Sequence, residues 1–106
     1  MSVLVRQNIP FIRLLISTTA NQQKALINSI TRDQVKSIIE ITYNIINLHI
    51  PVAQADRKKL IRHISLIKDI GLKKLSIKKK TDLIKSKKRI IIAMLKAVIN
   101  TVEKIV

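Results

Sequence analysis

The chain contains no cysteine and no tryptophan, one glycine, two prolines and two aromatic residues, Phe11 and Tyr43. Without cysteine there is no disulfide framework and no thiolate metal site. Gly71, Pro10 and Pro51 are too few turn-formers to punctuate a many-stranded β protein. One glycine cannot build a phosphate-cradling loop. Two histidines, His49 and His63, do not make a zinc site without cysteine, and neither lies in a nucleophile motif. His49 reads as a helix-end residue that hydrogen-bonds a carbonyl, and His63 as an exposed residue on a basic helix. The acids number only six, and no pair sits at a spacing suited to general acid/base work. No enzyme, metal or cofactor is expected.

Long hydrophobic runs are missing as well. A membrane-spanning helix needs about 18–20 apolar residues. The best stretch, Ile90 to Val102, is interrupted by Lys96 and Asn100. Near the N-terminus Arg6, Asn8 and Arg13 break the apolar pattern and no basic leader precedes it, so no signal peptide is expected. The expectation is a soluble or peripherally bound intracellular protein.

What is present is aliphatic residues and positive charge. At 106 residues and 47% apolar content, mostly Ile, Leu and Val, the chain can build one modest core. The net charge is +15, and it is lopsided. Through Asp56 there are five Lys/Arg against three acids; from Arg57 onward there are sixteen against three. Such a surface implies a partner that is negative over a wide area.

Apolar spacing predicts an all-α bundle of four to six helices in a single domain, with a weakly charged half (1–50) and a strongly basic half (51–106). Pro10 suits the first turn of a short helix over 9–17. Thr18 or Thr19 caps a second over 20–29. Thr31 to Gln34 reads as a capping box. It opens a central helix running to about Leu48, with Val35, Ile38, Ile39, Ile41, Ile45, Ile46 and Leu48 apolar. Ile50-Pro51 breaks the chain. A basic helix over 54–69 follows, with Leu60, Ile61, Ile64 and Ile67 inward and Gly71 as its left-handed cap. Ser76 caps a last basic segment. It either continues through Lys104 as one long amphipathic helix or kinks around Ser86.

The cationic clusters are Arg57-Lys58-Lys59 with Arg62, Lys73-Lys74, Lys78-Lys79-Lys80, and Lys85 with Lys87-Lys88-Arg89. Acids are nearly absent among them, so a merely solubilising face is the weaker reading. Aromatics for base stacking are missing from this half, which argues against single-strand readers. It holds thirteen Lys and three Arg. Lysine is a point charge that suits phosphate better than base edges. The expected function is non-specific binding of double-stranded DNA through these clusters. The face Ile91, Leu95, Val98, Val102 and Ile105 offers an alternative: an interfacial membrane helix meeting anionic lipid, or a contact with a second copy. Its bland reading is that it completes the core.

The stretch from about Leu14 to Leu95 resembles a family of short basic proteins of polinton/Maverick elements and their adintovirus relatives. The residues that carry the resemblance come in a fixed order. They are the segment Asn21 to Thr31, the Asn44-Ile45-Ile46-Asn47 helix end, the Ile50-Pro51-Val52 break, Arg57-Lys58-Lys59-Leu60, and Ser76-Ile77-Lys78-Lys79-Lys80. The resemblance implies a minor virion component, akin to the basic core peptides of adenoviruses, found in particles and in the host nucleus during assembly. Family members often carry a Gly-Gly pair between the basic helix and an apolar tail. This chain has Lys85-Ser86-Lys87-Lys88 there, which speaks against proteolytic maturation and for a continuous helix.

Overall fold

A computed structural model describes all residues 1–106 and contains seven helices and no strand, one helix more than the upper expectation. They are α1 (Val3–Ser17), α2 (Ala20–Asn28), α3 (Arg32–Ile46), α4 (Gln54–Ile61), α5 (Ile64–Gly71), α6 (Ile77–Ser86) and α7 (Lys88–Ile105). Side-chain caps start four of them. The hydroxyls of Ser2, Thr19, Thr31 and Ser76 accept from the backbone N–H three residues on. At α3 the capping box is complete: Gln34 N–H donates to Thr31 Oγ1 at 3.2 Å, and Thr31 N–H donates to Gln34 Oε1 at 2.9 Å.

The centre is α3, packed against α1, α5 and α6, while α1 also packs along α7. Nineteen buried apolar residues form one core. Six of them, Ile91, Met94, Leu95, Val98, Ile99 and Val102, come from α7. The stripe Ile91, Leu95, Val98 and Val102 is therefore interior, and only Ile105 of that face is exposed. A bidentate pair ties α7 to α1: Arg13 donates to the Glu103 carboxylate at 2.6 and 2.5 Å and to Asn100 Oδ1 at 2.9 Å. The hydrogen bond from Arg13 holds the Glu103 carboxyl below its usual range and raises the guanidinium in turn. Both side chains remain well solvated, so the pair sets register more than stability.

Several expected boundaries moved. The first helix starts at Val3, which leaves Pro10 inside it and not in its first turn. Packing on α3 and α7 outweighs the lost backbone bond. The expected basic helix over 54–69 is two helices, broken at Arg62-His63, where His63 N–H donates to Leu60 O. The break keeps Leu60, Ile67 and Ile70 in the core and turns Ile61 and Ile64 outward, against expectation. Of the two courses open to the last basic segment, the structure takes the kink near Ser86 and not the continuous helix. It breaks at Lys87 (φ −118°, ψ 34°), which closes α6 and opens α7. A straight helix would stack Lys85 against Lys88 and Arg89 at the spacings where like charges repel.

Gly71 is not a left-handed cap. It ends α5 with negative φ, buried where α5 crosses α3. A Cβ there would stand 2.7 Å from Ile46 Cδ1 and 3.1 Å from both Thr42 Cγ2 and the Tyr43 backbone nitrogen. The left-handed residue is Leu48 (φ 58°), placed by the expectation on the inner face of α3 but lying beyond its end and 75% exposed. That conformation costs a non-glycine residue roughly 1–2 kcal/mol. It is held by His49 and Ile50 N–H groups, which both donate to Asn44 O, at 2.9 and 3.3 Å. His49 Nδ1 lies 3.0 Å from Asn44 Oδ1, so its carbonyl partner is a side-chain amide.

Gly71→Ala is expected to destabilise the protein by about 1–3 kcal/mol, the usual cost of overpacking. The gain in helix propensity, at most about 1 kcal/mol, does not offset it. A lowered midpoint in urea at unchanged slope would show this. A raised midpoint would mean that the end of Ile46 swings aside freely.

Candidate nucleic-acid interface

Two cationic segments about 30 residues apart in sequence meet across an open groove of about 540 Å³. Lys59 of α4 and His63 at the α4–α5 joint form one wall. Ser86, Lys87, Lys88 and Arg89, at the α6–α7 corner, form the other. Leu60, Ile90 and Ala93 make the floor, and no acid lines it. The groove exists because α4 is packed closely against no other helix and is anchored by one buried side chain, Leu60. A second depression of about 390 Å³ shares Lys59, Leu60 and Ala93 and extends the trough to Lys96; Asp56, one turn before Lys59, also lines it.

The electrostatics favour an anion here. Lys87, Lys88 and Arg89 stand at the N-terminus of α7, the positive end of the helix dipole, with no side-chain cap and no acid in the first turn. Cations at that end are normally unfavourable. Of the 21 Lys and Arg in the chain, only Arg13 and Lys73 have a carboxylate within ion-pair distance.

The structure does not gather every expected contact into this trough. Lys59, Lys87, Lys88 and Arg89 line it. Lys58 and Arg62 are exposed on and just after α4. Arg57 edges a different, apolar groove. Lys73 pairs with Asp69 at 2.9 Å. Lys79 shares a shallow depression with Asp69 and Asp82. Lys74 and Lys78 are exposed, and Lys85 is half-buried. Lys80 is a correction: it is 8% exposed, so it does not stand on the open surface beside Lys78 and Lys79. No side chain bonds its ammonium, which keeps contact with water while the aliphatic stem is buried.

His63 and Lys96 were not among the expected contacts. Lys96 lies seven residues after Arg89 and so shares its helical face, a signal that was legible. His63 joins the site only because the chain breaks there. No cluster of three or more His, Cys, Asp or Glu could hold a metal, and no helix is long and apolar enough to cross a membrane. No protein-family model, curated protein or solved structure matches the chain.

Proposed function

We propose that this protein binds double-stranded DNA without sequence preference, through phosphate contacts centred on the trough between α4 and α7. The observation that carries the reading is the meeting of Lys59 with Lys87, Lys88 and Arg89 across a groove that contains no acid. The apolar floor suits the carbon face of the sugar, and the cations suit the phosphates on either side. Exposed Lys58, Arg62, Lys74 and Lys78 extend the positive field beyond the groove. The resemblance to the polinton and adintovirus basic proteins supports placing this activity in a virion, with assembly in the host nucleus. There the protein would condense the genome or tether it to capsid protein.

An interfacial role for α7 has less support. Four of the five residues that would enter lipid already fill the core. The helix would have to leave the fold to expose them.

The test is a salt series with duplexes of unrelated sequence, read by fluorescence anisotropy. If about 6–10 cations engage phosphate, affinity falls on the order of 10³–10⁵-fold between 50 and 200 mM salt. The duplexes should also bind about equally. Affinity indifferent to salt, or a strong preference for one sequence, would refute the reading.

A further inference from the structure

A second groove lies on the other side of α4, and it has the opposite chemistry. It is about 320 Å³, and nine of its eleven lining residues are aliphatic. Ile46 at the end of α3 and Leu48 just beyond it line the groove with Ile61 and Ile64 at the α4–α5 joint. Leu48, Ile61 and Ile64 are 75%, 58% and 40% exposed, the kind of concentrated apolar surface that marks interaction sites. The only polar lining residues are Arg57 and Lys68. Neither has an acidic partner within ion-pair distance.

Leu48 adds an independent observation. Its backbone is held in the left-handed region, yet its side chain is the most exposed large aliphatic in the molecule. Glycine or asparagine would sit there without strain, and burial does not compensate the leucine. A strained residue that presents an apolar side chain beside an apolar hollow points to use of that side chain.

We infer that this groove docks a short segment of a partner protein, with aliphatic anchors flanked by Asp or Glu. The hollow takes the anchors, and Arg57 and Lys68 take the acids. A second copy of the chain is a poor occupant. A two-fold contact would set this acid-free patch against itself, leaving Arg57 and Lys68 without a carboxylate on molecules of net charge +15. A lipid surface is a poor one too, since a hollow receives inserted side chains. The inference does not rest on the nucleic-acid reading, because the two grooves share only Leu60.

The experiment is selection of displayed random peptides on the intact 106-residue chain at physiological salt. The recovered peptides are then measured by anisotropy on the wild type, on Ile61→Ser/Ile64→Ser and on Leu48→Gly. The expected peptides carry aliphatic residues three or four apart with flanking acids. They should lose about tenfold or more in affinity on the double variant, as hot-spot anchors do. They should also weaken several-fold on Leu48→Gly while the melting temperature does not fall, an outcome that a structural role for Leu48 would not produce. Four results would each overturn the inference. The first is that no peptide is enriched. The second is that the peptides bind the double variant as tightly as the wild type. The third is concentration-dependent self-association abolished by the double variant. The last is binding to anionic vesicles that the double variant abolishes.

Discussion

A chain ending at Ser86 is expected to lose cooperative unfolding altogether. The deletion removes α7 and with it six of the nineteen core residues, including Met94, Leu95 and Ile99. Each fully buried aliphatic contributes about 1.5–3 kcal/mol. Six together match the whole stability of an ordinary domain, about 5–15 kcal/mol. The face of α1 that packs along α7, and Thr42 of α3, whose Oγ1 lies 3.8 Å from Met94 Sδ, would be left in water or in a collapsed, fluctuating state. Far-ultraviolet circular dichroism should show reduced helix, and thermal melts should become broad. A sharp transition near that of the intact chain would mean that α7 is an accessory. The same sum bears on membranes. Any role that exposes Ile91, Leu95, Val98 and Val102 to lipid must compensate a loss of about this size, so it requires unfolding and not docking.

The second large effect concerns the trough. Lys59→Gln/Lys87→Gln/Lys88→Gln/Arg89→Gln removes four of its cations. If each engages a phosphate, the slope of log affinity against log salt flattens by about 3–4. Duplex affinity near 0.1 M salt then falls roughly 10³-fold. The matched control removes the same charge elsewhere, at the exposed residues Arg6, Lys24, Arg32 and Lys104, and should cost much less. Equal losses in the two variants would mean a diffuse field and would refute the trough as the site. The trough variant should also melt higher than the wild type. Three of its substitutions take positive charge away from the positive end of α7, where each charge costs about 0.3–1 kcal/mol. Weaker binding with higher stability separates a lost contact from a damaged fold.

The parts of this fold that follow from neighbours in sequence were legible. Thr31 with Gln34, and Ser76 before Ile77, mark helix starts because capping is completed within three residues. The apolar period of α3 identified the central helix, and the helical class followed from such spacing together with the scarcity of turn-formers. The parts decided by distant packing were not legible. Nothing around Arg62-His63 signals a break, since neither glycine nor proline is there. The chain bends there because Leu60 and Ile70 must reach the same core. Gly71 carried the signature of a cap, and its purpose became clear only once α3 lay across it. The candidate site divides in the same way. The charge clusters could be read directly, but the pairing of Lys59 with Lys87 and Arg89 depends on where α4 and α7 stand. The burial of Lys80 depends on how α6 sits.

The scarcity of ion pairs has a consequence for the fold itself. With carboxylates beside only Arg13 and Lys73, the remaining cations repel one another in the folded state more than in the expanded chain. Dissolved salt relaxes that repulsion and so favours the native state. The same ions would compete with the protein for a phosphate backbone under the proposed function. Robustness and grip would then run in opposite directions along a single variable. The free protein is sturdiest under the conditions where it would hold a polyanion least, and a bound polyanion would do for the fold what salt does.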